Sequence, residues 1–131
     1  MRFCDIIKHL ESLSPLSMAW DWDNVGLLAG RSDKEVKTVY LALDATEEVI
    51  RDAILYQADM LITHHPLIFK AIKNIHSEDY IGKRLIALLQ HDISYYAMHT
   101  NFDVMGMSDA AADELGLKDC KVLEITYEDE I

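Results

Sequence analysis

The sequence predicts an α/β fold, a layered sandwich with a largely parallel central sheet flanked by helices. Two observations carry this prediction. Segments with helical hydrophobic period alternate with short segments of strand character along the chain. In addition, a chain of 131 residues that is 50% apolar can bury a core without disulfide or metal staples. There is no internal repeat, low-complexity tract or Pro/Gly/Ser-rich linker, so residues 1–131 read as a single domain.

Taken in order, Phe3, Ile6, Ile7, Leu10 and Leu13 fall at helical spacing, and Pro15 follows, which marks an opening amphipathic helix. WDWDNVGLLAG (20–30) mixes turn formers with apolar residues and reads as a loop running into a short strand. Val39, Leu41 and Leu43 alternate within KTVYLALDA, the signature of a strand. Val49, Ile50, Ala53 and Ile54 form a helical stripe, and Thr46 before two glutamates suits its N-cap. DMLIT (59–63) has strand length and ends in HHP. Ser77 is the expected cap of a helix carrying Ile81, Leu85, Leu88 and Leu89. ISYYAM (93–98) is a further strand, ended by His99. Ser108 and Gly116 bracket a short helix, and KVLEITY (121–127) reads as a last strand.

Charge narrows the function classes. Twelve basic residues face 23 acidic ones, a formal charge of -11. Such a field repels phosphodiester backbones and argues against a duplex nucleic-acid partner. Cys4 and Cys120 stand far apart, so they are expected to be buried free thiols of a reducing compartment, not a disulfide or a thiolate zinc site. MRFCDIIKHLESL is too interrupted by charge for a signal peptide, and no apolar run approaches a bilayer span. The expected setting is cytoplasmic, with no membrane partner.

The chemistry gathers where strands end. His64 and His65 directly follow one predicted strand and His99 follows another. Ligands of open α/β sheets bind beyond the carboxyl ends of strands. Asp103, four residues after His99, is close enough to be returned to the same place by the turn. Neighbouring side chains on a strand point to opposite faces, so adjacent histidines chelate one ion poorly unless the backbone breaks. Pro66 favours such a break by holding His65 extended. One imidazole on each of two ions suits the pattern better, and paired ions are a known catalytic arrangement. Imidazole and carboxylate without thiolate point to Zn, Fe or Mn. The expected metal ligands are therefore His64, His65, His99 and Asp103.

Asp44, closing LALDA, is a candidate to orient an imidazole, although such a residue is also an ordinary helix-entry Asp. Trp20, Trp22 and Asn24 could line a pocket or serve packing and turn formation. Thr63, Thr100 and Asn101 flank the ligands and are candidates to hold water or substrate. His9, His76 and His91 read as ordinary histidines. There is no P-loop, GxGxxG, CxxC or nucleophile elbow, so no catalytic nucleophile is assigned.

WDNVGLLAG, LALDAT, ADMLITHHPLIF and MHTNFD, in that order, closely resemble the N-terminal half of the NIF-three-like dinuclear metal-centre family, whose members are named GTP cyclohydrolase 1 type 2 homologues. The resemblance runs from the first helix to LGL at 115–117. It implies an α/β fold, a two-metal site and a toroidal homohexamer, and its HH and HTxxD positions fall on His64, His65, His99 and Asp103. It further implies a His and a Glu supplied by a C-terminal half, so the chain is expected to be the N-terminal part of a longer protein. MGMS (105–108) stands where the family has Gly-Gly-Val-Asn, and a differently shaped loop is expected there. Two functions follow as expectations. One is a metal-dependent hydrolase, GTP cyclohydrolase 1 type 2-like, that activates water toward a nucleotide. The other is a non-catalytic, metal-stabilised scaffold that binds partner proteins.

Overall fold

The structure is a computed structural model that describes residues 1–122. The strand expected over 121–127 lies, apart from its first two residues, outside the described residues. The chain opens with helix α1 (Phe3–Leu13), a short turn of 3₁₀ helix (Leu16–Met18) and strand β1 (Gly26–Ala29). Strand β2 (Val39–Ala42), helix α2 (Glu47–Leu55), strand β3 (Met60–Thr63), helix α3 (Tyr80–Gln90) and strand β4 (Ser94–Ala97) then alternate. A continuous helical stretch closes the described chain: α4 (Thr100–Phe102), a π-turn (Asp103–Met107) and α5 (Ser108–Leu115).

The four strands form one mixed sheet in the order β1-β4-β3-β2. β2 pairs with β3, and β3 with β4, in parallel, and the helices α2 and α3 supply the crossovers that parallel neighbours need. β1 breaks the expected pattern by running antiparallel against β4. The connection from β1 to β2 contains no helix, and β1 crosses to the far edge of the sheet. At the end of β1, Gly30 has φ +93, and a Cβ there would lie 2.7 Å from the Ser94 Cα, so only glycine allows this approach.

β3 and β4 are buried along their whole length, and residue alternation divides their side chains between two apolar clusters. Met60, Ile62 and Tyr96 pack with Phe3 and Val36, with Ile6, Ile7 and Leu10 of α1 beside them. Leu61 and Tyr95 pack with Ile50 and Ala53 of α2 and Leu88 of α3. Apolar helix residues therefore pack on β3 and β4 from either side. The stripe that announced β2 faces elsewhere: Leu41 is 71% and Leu43 59% exposed, while Tyr40 and Ala42 turn toward the core.

Local signals decide the helix ends. Thr46 accepts from Val49 N at 3.1 Å and caps α2 as expected. The cap of α3 is Asp79 instead of Ser77, with Gly82 N donating to its Oδ2 at 2.8 Å. A carboxylate is as good a cap as a hydroxyl, and Asp79 stands where the helix begins. Gly116 (φ 67) ends α5 in the left-handed conformation. Ser108 caps nothing, because the π-turn feeds straight into α5. Cys4 and Cys120 are exposed, against the expectation of buried thiols, since Cys4 lies off the apolar stripe of α1 and Cys120 beyond the end of α5.

Asp59 joins β2 to β3. Its Oδ2 accepts from the backbone N–H groups of Lys37 (2.7 Å) and Thr38 (2.9 Å). Burial pushes this carboxyl up, but those two bonds, with Lys34 and Lys37 nearby, outweigh it and hold the group below the ordinary carboxylate range. A depressed folded-state pKa gives stability that is present above the unfolded value and is lost as pH falls through the folded one. Asp59→Ala is therefore expected to cost about 1 kcal/mol at neutral pH, after discounting for solvent screening. In denaturant titrations the gap from wild type should close progressively as the pH is lowered through the carboxylate range. A gap independent of pH would assign the loss to packing.

Candidate metal centre

Parallel pairing of β3 with β4 sets Thr63 opposite Ala97, so both strands release their chains at the same edge of the sheet. Met98 N still donates to Thr63 O at 3.0 Å, which carries the register one step past the strands. His64 leaves one strand and His99 leaves the other. One nitrogen from each of His64, His65 and His99 lies within 4.8 Å of the others, a grouping that could hold a metal ion. Their ring centroids are separated by 4.9 Å (His64–His65), 5.1 Å (His64–His99) and 5.6 Å (His65–His99).

Each ring is fixed through Nδ1. His64 Nδ1 lies 2.9 Å from the Met98 carbonyl oxygen and donates to it. His65 Nδ1 lies 2.8 Å from Asp44 Oδ1, and His99 Nδ1 lies 3.0 Å from Asp23 Oδ1. Only a protonated Nδ1 can donate to these acceptors, which leaves Nε2 of each neutral ring with a free lone pair. An imidazole held in this way is prepared for metal, because the acceptor sets the tautomer, aims the ring and raises the basicity of the ligating nitrogen.

Asp103, the fourth expected ligand, is not part of the three-histidine grouping; it stands beside it at the first position of the π-turn. Its Oδ1 lies 3.5 Å from His64 Nε2. Ligands sharing one tetrahedral ion at bonds of about 2.1 Å stand about 3.4 Å apart, so this pair fits a common cation. Imidazole nitrogens are suitable donors for a divalent metal ion. The π-turn also occupies the stretch where MGMS departs from Gly-Gly-Val-Asn, so that stretch is helical and not a loop. Single π-turns inside helices occur often at functional sites because they re-aim one side chain.

The adjacent pair converges because the backbone breaks after Thr63. Thr63 Oγ1 donates to the His65 carbonyl oxygen at 2.8 Å, and Tyr95 OH donates to the same oxygen at 3.1 Å. Tyr95 OH in turn accepts from Leu67 N at 2.8 Å. The chain turns out of the strand under these bonds, and both rings come to one side. Thr63, Thr100 and Asn101 are all buried. Asn101 Oδ1 accepts from His99 N at 3.0 Å, and its Nδ2 donates to Ser14 O at 3.0 Å. Thr63 and Asn101 thus fix backbone, while the Thr100 hydroxyl accepts from Trp20 N and donates to the Asp23 carboxylate. His9, His76 and His91 are exposed and lie outside the cluster, as expected.

Asp23 is the residue that the sequence reading did not single out. Its side chain is 0% exposed although it arises from a loop. Burial alone pushes its carboxyl up. Hydrogen bonds from the Thr100 hydroxyl, the His99 ring and the backbone N–H groups of Thr100 and Asn24 outweigh burial and hold it below the ordinary carboxylate range. Within WDWDN it looks like one more turn former. The signal that could have found it is the need of His99 for an acceptor at Nδ1. Trp22 lies beside this contact, its ring centroid 6.3 Å from His99 and 5.9 Å from Phe69. Trp20 and Trp22 are 48% and 58% exposed and, with Ser17, Met18 and Val104, line a cleft at the rim of the site.

The Duf34/NIF3 (NGG1p interacting factor 3) family profile matches residues 1–129. A GTP cyclohydrolase 1 type 2 homolog of Bacillus subtilis is 40% identical over 126 residues, covering 95% of this chain and 34% of that protein. One of Clostridium perfringens is 38% identical over 118 residues, covering 88% and 45%. Among solved structures, a Bacillus cereus protein related to NIF3 superposes with a TM-score of 0.89 at 43% identity, covering 95% of this chain and 35% of that one. Reduced HcgD from Methanocaldococcus jannaschii superposes with a TM-score of 0.85 at 37% identity, covering 95% and 50%. The chain thus spans between a third and a half of the length of these relatives. With its profile matched almost end to end, the chain belongs to the Duf34/NIF3 family.

Proposed function

We propose that the protein is a divalent-metal-dependent hydrolase whose centre holds two ions on His64, His65, His99 and Asp103. The observation that carries this reading is a set of three imidazoles, each anchored through Nδ1, that bring one ring nitrogen apiece within 4.8 Å of the others. The exposed His91 is anchored through Nδ1 as well, to the Ala87 carbonyl, so it is the convergence of three such rings that carries the reading. Paired divalent ions, when bound, lower the pKa of water and polarise the bond under attack. The chain's own residues orient the imidazoles, with Asp23 and Asp44 placed behind His99 and His65 to balance the cationic charge of bound metal. Four ligands shared between two ions leave coordination positions for water, for substrate and for further donors. By the family resemblance, those donors are a His and a Glu from outside residues 1–131. The name of the relatives, GTP cyclohydrolase 1 type 2 homolog, suggests a nucleotide whose ring is opened by water. Apolar helix residues packed on either side of β3 and β4 support the layered-sandwich description, with residues 1–131 as one domain.

A second reading, a metal-stabilised scaffold for partner proteins or further copies of itself, is favoured by one observation. Val39 and Leu41 of the edge strand β2, and Leu43 just beyond it, are 39%, 71% and 59% exposed. An apolar stripe on an open strand edge is normally covered in a working assembly. Among the described residues no helix is long and apolar enough to cross a membrane.

Elemental analysis of protein purified without chelator should find Zn, Fe or Mn at between one and two equivalents, falling below a tenth in a His64→Ala/His65→Ala variant. Trace metal in the unmodified protein would remove the basis of the proposal. Loaded protein assayed on GTP and on phosphoesters should turn over at least one of them, with a loss of 100-fold or more in the same variant. Turnover that survives the substitutions would sink the catalytic role, whereas partner capture without turnover would favour the scaffold. Asp23→Asn should weaken metal affinity by about 10–100-fold through His99 while the fold is retained. Unchanged affinity there would mean that the Asp23 contact serves folding alone.

A further inference from the structure

A second cleft, of about 410 Å³, opens on the outer side of His65 and is lined by Asp44, His65, Phe69, Lys70, Tyr80 and Arg84, among others. Its charge runs against the rest of the molecule. The chain carries a formal charge of -11, yet this wall presents two cations and one carboxylate, Asp44, which is already engaged by His65 Nδ1. Neighbouring cations are committed elsewhere: Lys83 pairs with Glu47 at 3.1 Å and Arg51 approaches Glu48 at 3.9 Å. Among the described residues, Lys70 and Arg84 have no carboxylate oxygen within 4.0 Å. The Arg84 guanidinium lies 5.3 Å from the centre of the Tyr80 ring, which steadies it. Its Nε is shielded from solvent and has no hydrogen-bond acceptor. Among the described residues the guanidinium therefore has no protein acceptor at Nε and no carboxylate partner, which leaves its charge uncompensated beside the cleft.

We infer that this cleft seats the phosphate group of a phosphorylated small molecule, held by Arg84 and Lys70, with the rest of that molecule reaching past His65 into the metal centre. Arg presents a planar fork of donors matched to phosphate oxygens, and Lys adds a mobile point charge. Phe69 lines the cleft and touches Trp22 edge-on across the site, so an apolar or planar remainder of the ligand meets aromatic surface on its way to the imidazoles. The inference deepens the hydrolase reading by naming its substrate class, and rests on that reading only for what happens beyond His65.

Calorimetric titration of inorganic phosphate into the chelated, metal-free protein separates the two ideas. Phosphate should bind at about one equivalent. Arg84→Gln and Lys70→Gln should each weaken it tenfold or more, Arg84→Lys should recover most of the loss, and Arg51→Gln should change nothing. A nucleoside 5′-monophosphate should bind more tightly than phosphate, and the parent nucleoside far more weakly than either. Affinity unmoved by both Gln variants would overturn the inference. So would phosphate binding that appears only after metal loading and vanishes with His65→Ala, or exclusion of the phosphate ester by a protein that accepts free phosphate. If the protein binds no metal yet takes up phosphate through Arg84, the cleft stands and the metal reading alone falls.

Discussion

The parallel pairing of β3 with β4 is the constraint on which the candidate centre depends. Two neighbouring strands in register end together, so the residues that follow them emerge side by side at roughly the 4.8 Å spacing of a sheet. His64 and His99 owe their proximity to that spacing. The same pairing places the Met98 carbonyl where His64 Nδ1 can use it, so the backbone that joins the strands also orients a ligand. Both strands are buried along their whole length, which makes a slip of register costly because it would exchange every side chain between the two faces.

A second layer of order comes from acceptors behind the rings. Three imidazoles crowded together would repel one another if protonated, and a hydrogen-bond acceptor at each Nδ1 tolerates the neutral form with its lone pair turned inward. The acceptors differ in kind: a main-chain carbonyl for His64, a half-exposed carboxylate for His65 and a fully buried one for His99. Asp23 is the most tightly held of these, with donors from His99, Thr100 and Asn24 around one carboxylate. The resulting site is rigid toward the sheet and open toward solvent on the side of His65.

Much of this was legible in the sequence because strand ends advertise themselves. The apolar runs DMLIT and ISYYAM stop at histidines, and LALDA stops at Asp44, so all three converge once the strands are parallel neighbours. The residues that escaped notice have no comparable local mark. Asp23 belongs to a loop 76 positions away from its partner, and a carbonyl such as that of Met98 carries no side-chain signature at all. The direction of β1 was equally hidden, since nothing in GLLA tells which neighbour it will take. Thr63, Thr100 and Asn101 were recognised as flanking the site, but only the structure shows that Thr63 and Asn101 tie down backbone while the Thr100 hydroxyl binds the Asp23 carboxylate. The alternation in Val39, Leu41 and Leu43 identifies a strand correctly and says nothing about which face is covered.

The contacts that aim the imidazoles also fix when the centre can come into being. They join positions 34, 21 and 76 residues apart. Closing such loops has an entropic cost that local structure does not, and contacts of this span form late in folding. A chain emerging from synthesis offers no gathered set of nitrogens until His99 has appeared and β4 has docked between β1 and β3. Before that moment the three histidines are separate, and only afterwards do they form the grouping that could hold an ion. Capture of the metal would therefore be tied to completion of the sheet, and a half-made chain would have little with which to hold an ion.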